Sequence, residues 1–127
     1  MSVAEDPFPK LRAICAALPN VHERLSHGEP TWFINAKKSF VTYSHQHHDD
    51  RVGFWCAAPS GMQEQLVADR PLQFFRPPYV GHRGWLGVFL DVLVDWNEVE
   101  DIVEDAYRAA APKSLLSLLS LLDTETE

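Results

Sequence analysis

The chain has 127 residues, 46% of them hydrophobic and 23% charged, and carries a formal net charge of -7. That length admits one ordinary hydrophobic core and not two, and the composition excludes a disordered chain. The excess of acid limits partners as well, because a nucleic-acid surface on such a protein must concentrate its few Lys and Arg on one face.

The two cysteines, Cys15 and Cys56, sit among apolar neighbours, and Met1–Asp6 has neither a basic stretch nor an apolar one. This usage predicts a reducing, cytoplasmic setting. No apolar run approaches the roughly 20 residues that a membrane-spanning helix needs.

The elements follow in chain order. Phe8, Leu11, Ile14, Cys15 and Leu18 recur at helical spacing, which predicts a helix over 6–18 with Asp6 as its N-cap and Pro7 and Pro9 in its first turn. Leu18-Pro19-Asn20 stops it. Val21 to Pro30 reads as a connector, with His27-Gly28 forming the turn that aims the first strand. Thr31–Ile34 and Ser39–Tyr43 are aromatic and β-branched around a polar Asn35–Lys38 loop, the pattern of an antiparallel hairpin. Arg51–Cys56 alternates Val52, Phe54 and Cys56 against Trp55 and reads as a third strand. A short helix is expected over 60–69 from Met62, Leu66 and Val67. Phe74-Phe75 gives a brief strand. Trp85–Leu90 gives a longer one, with Leu86, Val88 and Leu90 opposing Trp85, Gly87 and Phe89.

The best-specified boundary is the start of a helix over 96–110. Asp95 is its N-cap, Glu98 completes a capping box, and Val94 with Val99 forms a hydrophobic staple. Val99, Ile102, Val103, Ala106 and Ala110 make its apolar stripe against an acidic outer face. The tail from Lys113 repeats Ser-Leu-Leu and predicts a short helix on the domain, with a partner-facing segment as the other reading. The whole forms one domain, 1–127, with its core over about 8–112 and the tail at 113–127.

Chemistry-bearing residues are scattered. His45-Gln46-His47-His48-Asp49-Asp50 has the composition of a transition-metal site but no metal-ligand spacing, and reads as a polar loop. His22 and His27 have no nucleophile placed with them and read as structural. Cys15 and Cys56 lack a cationic neighbour and read as buried hydrophobes. No triad, carboxylate pair or cofactor fingerprint is present, so neither catalysis, a metal nor a cofactor is expected. Basic residues fall beside turns: Lys37 and Lys38 at the hairpin tip, Arg76 after the Phe pair, and His82 and Arg83 in Gly81-His82-Arg83-Gly84. With Tyr79 and Trp85 between them, they form a candidate rim for tracking phosphates and stacking bases.

Several stretches together resemble the MmcQ/YjbR family of small bacterial proteins. They are Glu23…Ser26-His27-Gly28-Glu29-Pro30-Thr31-Trp32-Phe33, Lys37-Lys38-Ser39-Phe40, Gly81-His82-Arg83-Gly84-Trp85 and Asp95-Trp96…Tyr107-Arg108…Ala111-Pro112-Lys113. The resemblance covers about 8–115 and rests on the ordered set rather than on one motif. It implies an α+β domain of the CyaY-like type, an antiparallel sheet with helices packed on one side. Frataxin-like iron proteins share that architecture, but their acidic helix is the first and here it is the last, so an iron site is not carried over. Members are commonly labelled DNA-binding. The function expected is therefore sequence-tolerant DNA binding by a monomer, with Lys37, Lys38, Arg76, His82 and Arg83 on phosphates and Tyr79 or Trp85 stacking. Two rivals stay open. A small-molecule or metal-binding protein would carry a deep pocket near His27, His82 and Trp85, and a protein-interaction module would expose the leucine tail.

Overall fold

In the computed structural model, residues 6–45 and 51–117 are described. The aromatic and β-branched runs form strands β2 (Glu29–Ile34), β3 (Lys38–His45) and β4 (Val52–Cys56), and β1 (Val21–Ser26) pairs in front of them. After helix α2 (Met62–Asp69) come β5 (Phe74–Phe75) and β6 (Leu86–Phe89). All neighbours are antiparallel in the order β1-β2-β3-β4-β6-β5.

Side chains alternate across a strand, so each strand commits one set to each face. On one face Trp32, Ile34, Val41, Tyr43, Phe54, Cys56, Phe74, Leu86 and Val88 are buried in a single core. That core is closed by Leu11 and Cys15 of helix α1 (Phe8–Ala16) and by Val99, Ile102, Val103, Ala106 and Tyr107 of helix α3 (Trp96–Ala110). The predicted α+β class and one-sided helix layer are what the chain adopts.

One irregularity shapes the opposite face. Trp32 pairs with Val41 and Phe33 with Ser39, so Phe40 is an extra residue, a β-bulge. Phe40 and Val41 are both buried, and the Phe40 ring meets Tyr107 edge-on at 5.7 Å. The bulge lets two consecutive residues serve the core. Ser39 and Thr42, three positions apart, consequently reach the same open face.

Helix ends largely follow local chemistry. The Asp95 carboxylate accepts from the backbone N–H of Asn97 at 3.0 Å and of Glu98 at 3.4 Å. The expected capping box is only half formed, because the Glu98 carboxylate is drawn away to the Arg70 guanidinium. Asp6 accepts from the Phe8 N–H at 3.0 Å, as a capping residue does. In the described part of the tail, residues 113–117 are helical and Leu115 is buried against the core.

The connector expected over 21–30 is a correction. Val21–Ser26 is an edge strand, joined to β2 by a two-residue turn in which His27 and Gly28 both have positive φ, 54° and 83°. Its residues 22–25 are exposed, so no alternation of apolar and polar residues marked it.

A candidate binding cleft on the open sheet face

The face away from α1 and α3 carries what alternation left over: Thr31 from β2, Ser39, Thr42 and Ser44 from β3, and Trp55 from β4. With Ser26, His27 and Glu29 at the β1–β2 turn, these residues line a cleft of about 630 Å³. Thr31 is buried, and its hydroxyl lies 3.2 Å from the Glu29 carbonyl oxygen and 3.3 Å from the Thr42 hydroxyl. The Glu29 carboxylate is occupied too, accepting from the His45 backbone N–H at 2.8 Å. The floor is therefore polar and already ordered.

The far wall is a strap, residues 76–85, contributing Tyr79, Val80, Arg83 and Trp85. Pro77 and Pro78 lead into Tyr79, whose φ is 66°, and the Val80 N–H donates back to the Pro78 carbonyl at 2.7 Å. An i to i+2 bond around a positive φ is the rare, strained form of γ-turn. Strain of this kind persists only where the surroundings over-determine it, and it clusters at ligand clamps. Its result here is a tyrosine 71% exposed at the mouth of the cleft.

Two interactions fix the strap. Gln63 of α2, only 4% exposed, donates to the carbonyl oxygens of Gly81 at 2.8 Å and Trp85 at 2.5 Å. Arg76 lays its aliphatic stem on Gly81, where a Cβ would stand 2.6 Å from Arg76 Cγ, so only glycine allows that approach.

Arginines elsewhere are largely neutralised. Arg12 pairs with Glu23, Arg51 with Asp91, Arg70 with Glu98 and Arg108 with Glu104. The Arg24 guanidinium lies 3.6 Å from the Phe33 ring centroid and donates to the Ala36 carbonyl. Arg83 differs. Its guanidinium lies 5.6 Å from the centroid of the buried Trp85 ring, and among the described residues no carboxylate pairs with it. A cation at the wall of a hydroxyl-lined cleft has the chemistry to pair with an anionic group.

The residues expected from sequence to form one rim separate into two groups. Tyr79, Arg83 and Trp85 line the cleft. Lys37 and Lys38 are exposed at the β2–β3 turn, while Arg76 and His82 are exposed on the strap without lining the cleft. His27 and Trp85, two of the three residues around which a small-molecule or metal-binding protein would carry its pocket, line this cleft, and His82 does not. Sequence reasoning missed the hydroxyls and Gln63. Alternation of Thr42 and Ser44 with Val41 and Tyr43 was a readable signal for the hydroxyls, whereas nothing local marks Gln63.

Among the described residues the Thr31 hydroxyl is engaged by the Glu29 carbonyl and the Thr42 hydroxyl, and the Glu29 carboxylate by the His45 backbone N–H. Among the same residues no three His, Cys, Asp or Glu side chains are grouped to hold a metal ion, and no helix is long and apolar enough to cross a membrane. Of the His45–Asp50 cluster, residues 46–50 lie outside the described residues. Burial pushes the Cys15 and Cys56 thiols well up from their ordinary values, which makes them poor thiolates.

This fold has relatives. The YjbR family model matches residues 16–109. The chain belongs to the YjbR family. Among solved structures, this YjbR chain is similar to Deinococcus radiodurans protein DR2400, which carries a DUF419 domain. The TM-score is 0.67 at 15% identity, over 79% of this chain and 75% of that one. At that identity the likeness concerns the fold alone. No curated protein matches this YjbR chain.

Proposed function

We propose that this YjbR domain is a binding protein for single-stranded nucleic acid, seating one nucleotide in the cleft of the open sheet face without catalysis. The observation that carries the reading is Arg83, a cation with no carboxylate partner among the described residues, at the wall of a cleft that also holds Trp55, Tyr79 and Trp85. A phosphate placed on Arg83 leaves the attached sugar over the Thr and Ser hydroxyls and the base beside the exposed Tyr79 ring. Cation, hydroxyl floor and aromatic wall match the three parts of a nucleotide.

The volume favours a single strand over a duplex. A cleft of about 630 Å³ takes one small ligand or one splayed-out unit, and bases are splayed in single strands. Affinity rests on few charges, because the net charge of -7 opposes a polyanion and Lys37 and Lys38 sit away from the cleft.

Fluorescence anisotropy of labelled single-stranded and duplex DNA tests the reading, starting at low salt. Single strands are expected to bind better than duplex, with log affinity falling linearly in log salt at a slope for about one to three phosphates. Arg83→Glu is expected to abolish binding, and Lys37→Glu to weaken it only slightly. Absence of single-strand binding at low salt overturns the proposal. Binding of free mononucleotides but not of strands would make the cleft a small-molecule site instead.

A further inference from the structure

The cleft carries charge of both signs. Arg83 stands on the strap and Glu29 at the start of β2, and both line the same space. Among the described residues neither forms an ion pair. A cation and an anion that face one cleft without joining suit a ligand with an anion at one end and a hydrogen-bond donor at the other.

The floor beside Glu29 has a fixed direction. A carbonyl oxygen can only accept, so the Thr31 hydroxyl gives its single hydrogen to the Glu29 carbonyl at 3.2 Å. Its contact of 3.3 Å with the Thr42 hydroxyl is then one in which Thr42 donates. With that hydrogen committed, Thr42 offers the cleft only lone pairs. The Glu29 carboxylate is an acceptor as well. Its Oε2 takes the His45 N–H at 2.8 Å, and Oε1 remains for a second donor. Glu29 and Thr42 therefore give the cleft an acceptor-only edge, away from the strap that holds Arg83.

A deoxyribonucleotide within a strand has no sugar hydrogen to donate, because its 3′ and 5′ oxygens are both esterified. A ribonucleotide has one, on the 2′-hydroxyl, and that group is what lets a protein tell RNA from DNA. A carboxylate is a strong acceptor for a ribose hydroxyl because it is ionised. Resting on the nucleic-acid reading of the cleft, we propose that its ligand is single-stranded RNA, selected over DNA by a 2′-hydroxyl that donates to the Glu29 carboxylate while a phosphate pairs with Arg83. Deoxyribose in the same place leaves the acceptor edge without a donor, which is the basis of the preference.

Fluorescence anisotropy at low salt tests this with three labelled hexamers, of uridine, 2′-fluoro-2′-deoxyuridine and 2′-deoxyuridine. The fluoro strand keeps an RNA-like sugar pucker and lacks the donated hydrogen, so it separates hydrogen bonding from strand shape. The uridine strand is expected to bind about tenfold tighter than either of the others, the effect of one hydrogen bond to a charged group. Glu29→Met should bring the three affinities together. If far-UV circular dichroism shows Glu29→Met to be unfolded, Glu29→Gln keeps an oxygen for the His45 N–H without the charge and should reduce the preference severalfold. Equal affinity for the uridine and fluoro strands, or a preference that survives Glu29→Met, overturns the inference and leaves the cleft a single-strand site indifferent to the sugar. Failure of all three strands to bind overturns both.

Discussion

The side-chain nitrogen of Gln63 lies 2.5 Å from the carbonyl oxygen of Trp85, so one buried amide on a short helix holds the backbone of the residue that carries the cleft wall. The same nitrogen reaches Gly81 at 2.8 Å, and together the bonds pin both ends of the turn that presents Arg83. Replacing the amide with an apolar side chain strands the Trp85 carbonyl oxygen in a buried setting and leaves the Gly81 carbonyl with the Gly84 N–H at 3.0 Å. Gln63→Leu is expected to cost about 2 kcal/mol, read by urea denaturation, and to weaken ligand binding more than its effect on stability explains. Unchanged stability would mean that the strap is held by other contacts.

A second long-range bond ties the last helix to the exit of the first. The Tyr107 hydroxyl donates to the Pro19 carbonyl oxygen at 2.7 Å. Tyr107→Phe keeps the ring that packs edge-on against Phe40 and deletes only this bond. The expected loss is about 1 kcal/mol, seen as a lower denaturation midpoint at unchanged slope.

Helix α3 depends on Asp95, which satisfies two backbone N–H groups of its first turn. Asp95→Ala should lower stability by about 1 kcal/mol, whereas Asp95→Asn, another good cap, should cost much less. Equal losses from the two would assign the effect to charge rather than to capping.

Stability should fall in acid through Asp91. Its carboxyl is held below the ordinary value chiefly by the hydrogen bonds from Arg51, with help from the Val52 N–H at 3.1 Å. A carboxyl depressed in the folded state contributes stability that is fully present above its unfolded value of about 3.9, and this is lost as pH falls through the lower folded value. Asp91→Asn should therefore be less stable than the parent at neutral pH and converge with it in acid. Parallel acid limbs for the two proteins would remove Asp91 from the account.

At the alkaline end Tyr43 acts with the opposite sign. Burial, aided by Asp6 and Glu29, pushes its phenol up to about 12. A group raised in the folded state contributes stability that is present below its ordinary value near 10, and this is lost as pH rises through the folded one. Spectrophotometric titration should show Tyr43→Phe lacking one late-ionising tyrosine and losing less stability at high pH. An unchanged alkaline limb would refute this.

Much of this chain is legible in local pattern alone. The cap at Asp95, the apolar stripe of α3, the His27-Gly28 turn and the alternation in β3, β4 and β6 each depend on neighbours a few positions away. Such signals determined the α+β class and placed Leu86 and Val88 opposite Trp85. They failed at β1, because an edge strand exposed over residues 22–25 buries almost nothing and so imposes no pattern. They also could not say which basic residues mattered. Arg51 meets Asp91 40 positions on and Arg70 meets Glu98 28 positions on, and these pairs are decided by where the strands and helices dock. Sequence proximity grouped Arg76, His82 and Arg83. Docking set Arg83 beside a cleft whose floor comes from β2 and β3, with Gln63 securing its turn from α2. Periodicity records which side of an element is apolar, and it holds no record of what the other side faces. That is why the elements were legible from the chain and the cleft was assembled only by tertiary structure.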